Sequence, residues 1–246
     1  MDISANTVLI TGGASGIGWA LAERFLKAGS QVVICGRRAD KLHEVQQQYP
    51  QLKVRQCDVG QASDRVALLD WVRTECPEVN VLINNAGIQR RSQLVNNQED
   101  WSESQQEIAI NLEAPLHLTT LFIPHLLEKP KAAIINVTSG LAFVPGAFAP
   151  IYSATKAALH SFTMSLRHQL AQTPIEVIEI VPPAVNTDLG GTGLHTFGVP
   201  VGDFADAMMQ GLQTGALEIG YGTSEKNRTA SRQEIDEIFK QMNSRF

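Results

Sequence analysis

Tyr152 and Lys156 are four residues apart in the run Tyr-Ser-Ala-Thr-Lys. Residues at that spacing on a helix share a face, so a phenol and an ammonium are directed into one site. A phenol titrates near ~10 and is a weak acid–base catalyst at neutral pH unless its anion is stabilised. A neighbouring ammonium supplies that stabilisation and lowers the phenol's pKa. Ser139, thirteen residues before Tyr152, closes an apolar run. Its hydroxyl is suited to hold a substrate oxygen on which charge develops. The three groups together suit proton transfer to a carbonyl oxygen or from an alcohol. A lone Tyr-x-x-x-Lys is most often a solvated helix face. The rest of the chain has to decide.

Near the start of the chain stands Thr11-Gly12-Gly13-Ala14-Ser15-Gly16-Ile17-Gly18, a G-x-x-x-G-x-G spacing. A turn this tight needs residues without Cβ, both for its angles and for close approach to a phosphate. Gly12, Ser15, Gly16, Ile17 and Gly18 would hold a pyrophosphate against the first N–H groups of the following helix, aided by the helix dipole. The turn joins a strand-like run to a helix-like one, which is the context that a dinucleotide site requires.

Twenty residues on, Cys35-Gly36-Arg37-Arg38 ends the second strand candidate. An NAD site places a carboxylate there for the ribose hydroxyls. This chain offers two guanidiniums, suited to a 2′-phosphate. NADP(H) is therefore preferred and NAD(H) remains possible. The alternative is that Arg37 and Arg38 only meet solvent.

The elements that must position these groups alternate. Strand candidates are Thr7–Thr11, Gln31–Cys35, Leu52–Gln56, Val79–Ile83, Ala133–Val137 and Ile175–Val181, all read as apolar runs buried on both faces of a parallel sheet. Between them fall helix candidates Gly16–Ala28, Asp40–Gln48, Ala62–Glu75, Asp100–Glu128 (broken near Asn111 to Pro115) and Ile151–Ala171. Asp203–Gly215 reads as another helix, Glu218–Tyr221 as an edge strand and Arg232–Asn243 as a last helix, in a tail whose role the sequence does not reveal. The order predicts an α/β fold, a single-domain, doubly wound parallel sheet of Rossmann type, with its ligand at the strands' carboxyl ends.

The 246 residues suit one core, and 43% hydrophobic with 18% charged residues excludes a disordered chain. A net charge of -5, with no basic block, argues against nucleic-acid binding. Neither a secretory signal nor a membrane span is read, so cytoplasm is the expectation. Cys35, Cys57 and Cys76 lack metal-ligand spacing and read as buried reduced thiols. The six histidines form no metal motif, and no metal is expected.

Together the motifs resemble the short-chain dehydrogenase/reductase superfamily, in its compact single-domain branch, from about Thr7 to Thr187. The residues that carry the resemblance are the glycine turn, Asn84-Asn85-Ala86-Gly87, Asn111, Ser139, Tyr152 and Lys156, in the family's order and spacing. It implies a catalytic tetrad of Asn111, Ser139, Tyr152 and Lys156. Asn111 would anchor a water that relays protons to Lys156, and Lys156 would hold the nicotinamide ribose. It also implies cofactor contacts from Asn84, Ala86 and Gly87 near the adenine ribose, and from Pro182, Val185 and Thr187 near the carboxamide. Asp58 would meet the adenine amino group or, equally, cap a turn. Pro183 stands where the family usually has glycine, which puts the contacts there in doubt.

Gly140–Pro150 and the glycine-rich stretch 188–202 are expected to cover the substrate, the latter as a lid. Their apolar residues suggest a hydrophobic or neutral carbonyl compound. Arg90 and Arg91 are available for an acidic substrate group, with solvation the blander reading, and His195 has no spaced partner. Apolar residues on several faces of the two long helices suggest a homodimer or homotetramer. The functional expectation is an NADP(H)-dependent oxidoreductase acting on a small carbonyl or alcohol. Two alternatives are a dinucleotide-binding sensor without turnover and an isomerase that retains its cofactor.

Overall fold

A computed structural model of the chain describes residues 1–96 and 100–244. Seven parallel strands form one sheet: β1 (Thr7–Thr11), β2 (Gln31–Gly36), β3 (Lys53–Gln56), β4 (Val81–Asn84), β5 (Ala132–Val137), β6 (Ile175–Val181) and β7 (Glu218–Gly220). Their order is β3-β2-β1-β4-β5-β6-β7. The chain therefore reverses its winding between β1 and β4, and the crevice above that point is where an open α/β sheet binds ligands.

The helices pack on both faces. Helix α1 (Gly16–Lys27) and α7 (Val201–Gln213) cover one side, with Leu21, Phe25, Phe204 and Met208 in its core. Helix α3 (Ala62–Glu75) and α5 (Ala114–Leu127) cover the other, with Leu68, Phe122 and Leu126. Phe25, Phe122 and Phe204 are fully buried, and each stabilises the fold by roughly 1.5–3 kcal/mol. The three cysteines are free and buried.

Element boundaries follow the sequence reading to within one or two residues, with three differences. β3 is not buried on both faces, because it is a sheet edge, and Lys53, Arg55 and Gln56 are exposed. The long fourth helix is divided into α4 (Trp101–Ile108) and α5 by a π turn over Ala109–Glu113, which accounts for the break expected near Asn111. A short helix α8 (Thr223–Thr229), which sequence periodicity did not reveal, precedes α9 (Arg232–Met242). The remaining helices are α2 (Ala39–Gln48) and α6 (Pro150–Gln169). None of the described helices is long and apolar enough to cross a membrane.

The apolar residues read as a subunit face on α5 and α6 divide. Leu118, Phe122, Leu126, Leu159 and Leu166 are consumed by this chain's own core, while Leu116, Leu121 and Phe162 are half-buried and Met164 is exposed.

Candidate active site

A single cleft of about 1360 Å³ runs along the carboxyl ends of the strands. Its first half is built on the glycine turn. Gly12 and Gly16 have φ of +65° and +55°, angles that side chains with Cβ rarely adopt. A Cβ on Gly18 would lie 2.4 Å from the Gly12 carbonyl oxygen, so α1 can start this close to β1 only with glycine there. We expect Gly18→Ala to lower stability by about 1–3 kcal/mol through overpacking and to abolish cofactor affinity. Thermal unfolding and a dinucleotide titration read the two effects, and a variant with unchanged affinity would contradict the cradle.

Helix α1 begins without a capping side chain and without an acidic residue in its first turn. Ser15, at the N-cap, instead accepts a hydrogen bond from Arg38 Nη2 at 2.9 Å. The positive end of the helix is thus left open towards the cleft, as an anion site needs. Arg37 and Arg38 are both exposed on the cleft wall, and no acid stands at the end of β2. The glycine turn, the open helix end and the guanidiniums on the cleft wall fit a nicotinamide dinucleotide.

The sequence-predicted residues are mostly brought to this wall: Gly12, Ser15, Gly16, Ile17, Gly18, Arg37, Arg38, Asp58, Ala86 and Gly87 in one half, then Ser139, Tyr152, Lys156, Pro182, Val185 and Thr187 in the other. Two are not on it. Asn84 is buried, donating to Asn136 Oδ1 at 2.9 Å and Thr119 Oγ1 at 3.1 Å, so its side chain ties strands together rather than facing the cleft. Asn111, on the π turn, exchanges hydrogen bonds with the backbone of Ile88 at 2.8 and 2.9 Å. Its side chain fixes the segment after β4, and its Oδ1 and Lys156 Nζ both stand against Gly87, where a Cβ would lie 3.3 and 3.8 Å from them. Asp58 Oδ1 accepts from the Gly60 amide at 3.0 Å, the turn-capping alternative, while the residue also lines the cleft.

The second half holds the acid–base groups. Ser139 follows β5 and opens a short turn, its Oγ accepting from the Leu141 amide at 3.1 Å. The turn is pinned from below, because the Gly140 amide donates to Pro182 O at 2.8 Å. Beside it, Thr138 Oγ1 donates to the buried carboxylate of Glu179 at 2.6 Å, which also pairs with His160 at 2.8 Å. His160 lies one turn beyond Lys156 on α6, so the network joins that helix to the end of β5.

Tyr152 is hydrogen-bonded to Ser139. Burial pushes its phenol up to about 12, partly offset by the Ser139 hydrogen bond and reinforced by the Glu107 carboxylate. Burial pulls Lys156 down to about 8, and Glu107 opposes that fall. Burial thus holds the phenol above its ordinary value, whereas the sequence reading expects Lys156 to lower it. Its Nζ donates to Val137 O at 2.8 Å and stands 5.6 Å from the Tyr152 ring centroid, and desolvation dominates both groups. At neutral pH the phenol therefore keeps its proton.

A model of the short chain dehydrogenase family matches residues 6–194. The chain belongs to the short-chain dehydrogenase family. The uncharacterized oxidoreductase DltE of Bacillus subtilis is 47% identical to it over 249 aligned positions, 99% of each chain. A short-chain dehydrogenase from Burkholderia cenocepacia in complex with NADP superposes with a TM-score of 0.85 at 26% identity, over 97% of this chain and 99% of that one. Another from Sphingobium yanoikuyae, in complex with NADPH, gives 0.82 at 26% identity, over 96% and 93%. The seven-stranded sheet and the glycine turn are thus those of a short-chain dehydrogenase.

Sequence reasoning missed how this short-chain dehydrogenase uses its tail. Ile238, Gln241 and Met242 of α9 line the cleft, and Asn243 ties the helix down by donating to Pro145 O at 3.1 Å and accepting from the Ala147 amide at 2.7 Å. The signal was present. Ile235, Ile238, Phe239 and Met242 recur at helical spacing behind the Ser231/Glu234 capping box. Arg90, read as solvated, pairs with Glu103 and donates to Gln106 Oε1 at 2.8 Å.

Proposed function

We propose that this chain is an NADP(H)-dependent reductase, reversible in principle, that interconverts a small carbonyl compound and its alcohol. The observation that carries the reading is the meeting of Tyr152, Ser139 and Lys156 in the same cleft as the glycine turn and the Arg37–Arg38 pair. A sensor would need the cradle but not the buried phenol. When bound, the nicotinamide supplies or accepts the hydride.

Ser139 orients the substrate oxygen beside the Tyr152 hydroxyl and donates to it as negative charge develops. Tyr152 gives its proton to that oxygen in the reducing direction. A phenol that keeps its proton at neutral pH is in the form this step needs. Lys156, while protonated, stabilises the phenolate that remains. Asn111 acts by holding Ile88, and with it the segment through Ala86 and Gly87, in register beside the cofactor cradle. Val185 and Thr187 lie where the carboxamide would be read.

The stretch 188–202 serves as the lid in this reading. Its base is cinched by the pairing of Val185 with Val199, and Gly198 sits so close that a Cβ would lie 2.7 Å from the Val185 carbonyl carbon. Phe197 is 74% exposed at the cleft and would be covered when substrate closes the lid. The half-buried stripe of Leu116, Leu121 and Phe162, with Met164, supports pairing with a second copy.

Calorimetric titration with NADPH and NADH, followed by a carbonyl panel monitored for cofactor oxidation, tests the reading. Binding without turnover across a broad panel would favour the sensor alternative, and binding of neither cofactor would end both. A pH profile adds a sign. Lys156 is charged below about 8 and neutral above it. Therefore kcat/KM for reduction is expected to be flat at lower pH and to fall as pH rises through that value. A profile flat to about pH 10 would remove Lys156 from the proton step.

A further inference from the structure

The cleft beyond Tyr152 is less apolar than its sequence suggests. Gly190, with φ of +76°, approaches the Gln89 carbonyl so closely that a Cβ would lie 3.0 Å from that oxygen. This contact lays the loop carrying His195 against the segment carrying Arg91. His195 is only 8% exposed, yet its Nδ1 is buried without a hydrogen-bond partner, while the ring bonds to the backbone of Leu189. A native fold rarely leaves a buried ring nitrogen unpaired unless a ligand completes it.

Arg91 makes no ion pair among the described residues, and its guanidinium lies 5.3 Å over the Phe148 ring, facing the same cleft. Stacking holds the fork in place before any ligand arrives. Gln89, 9% exposed, lines the same wall. Lys226 adds positive charge along the cleft, while the acids on this side are Asp188, on the wall at the root of the loop, and Glu107, whose carboxylate is felt by Tyr152 and Lys156.

We propose that Arg91 and His195, with Gln89 beside them, form a subsite for an oxyanion carried by the substrate, a carboxylate or a phosphate. The substrate is then an oxo acid, or a phosphorylated ketone, bound with its carbonyl at Tyr152 and its anion at Arg91. The guanidinium fork matches both anions, and the anion would draw a second proton onto His195, whose Nδ1 then donates to it, offsetting the fall that burial and the Arg91 charge impose on the free ring. This assignment rests on the carbonyl reading above and replaces the neutral substrate expected from the sequence.

The test uses 4-oxopentanoate, 5-oxohexanoate and 6-oxoheptanoate, each against its methyl ester, with dihydroxyacetone phosphate as the phosphate arm. Binding to the NADPH-saturated protein is measured by calorimetry and turnover by NADPH oxidation. At least one anion should bind about 10- to 100-fold more tightly than the matched neutral compound. Arg91→Leu should bring that ratio close to one, and His195→Phe should reduce it. Selective anion binding that Arg91→Leu abolishes, without turnover, keeps the subsite and sinks the carbonyl chemistry. Turnover that treats acid and ester alike keeps the chemistry and overturns the subsite. Equal binding of every anion and ester, or a preference that survives in Arg91→Leu, also overturns it.

Discussion

Tyr152→Phe is expected to lower kcat/KM for carbonyl reduction by roughly 10³- to 10⁴-fold while leaving NADPH affinity within about threefold. The substitution removes one oxygen at the cleft wall and keeps the buried ring. Tyr152 is 6% exposed and its ring stands 5.6 Å from Lys156 Nζ, so the helix, the ammonium and the cleft wall need not move. What disappears is the one group that hydrogen-bonds Ser139 and carries a transferable proton at neutral pH. Water is a poor replacement, because it is not held at a fixed position and angle to the substrate oxygen as the helix-borne phenol is. Steady-state kinetics with the best panel substrate and a fluorescence titration of NADPH separate the two quantities. A loss below about tenfold would mean that another group supplies the proton.

The second large effect concerns cofactor choice. Removing both guanidiniums, Arg37→Ala with Arg38→Ala, should weaken NADPH binding by about 100-fold and leave NADH within a few-fold. Hydrogen bonds to a charged group are worth about 1.5–3 kcal/mol each, and the lower end applies because both side chains are exposed and screened by salt. Arg38 should contribute the larger share. Its bond to Ser15 already bridges the end of β2 to the glycine turn, so less ordering remains to be done on binding. The preference of the unaltered protein should also shrink as ionic strength rises. An equal loss for both dinucleotides would place the arginines on the shared pyrophosphate and leave the 2′-phosphate unread.

The core of the site was legible because it is local. The glycine turn, Tyr152 with Lys156, and the arginines after β2 lie within single elements or their ends, where spacing alone sets relative geometry. Helix α3 runs over the expected Ala62–Glu75, since its apolar face and its Cys-Pro stop at 76–77 are written in adjacent residues. Edge position is different. The sequence reading groups Leu52–Gln56 with the other buried apolar runs, although its Lys53 and Arg55 already alternate with apolar residues, and its place at the sheet's margin comes from the pairing order. The same holds for the tail, whose amphipathic α9 has a partner only once Pro145 and Ala147 have been brought beneath it.

What the sequence determined by itself was the family's sheet, the glycine turn between β1 and α1, and the placing of phenol and ammonium on one helical face. Each follows from short-range sterics and periodicity. The tertiary structure decided protonation and the shape of the substrate end. Burial, not the lysine's nearness, governs Tyr152 and Lys156, because desolvation is set by everything packed around a group and outweighs a single charge that points elsewhere. Asn111 became a brace for Ile88, and Asn84 a tie between strands, because their partners come from distant segments. His195 and Arg91 come to one cleft wall with Gly190 packed against Gln89 between their segments. Contacts of that kind depend on how far the chain folds back on itself, and a linear pattern carries no distance across the fold.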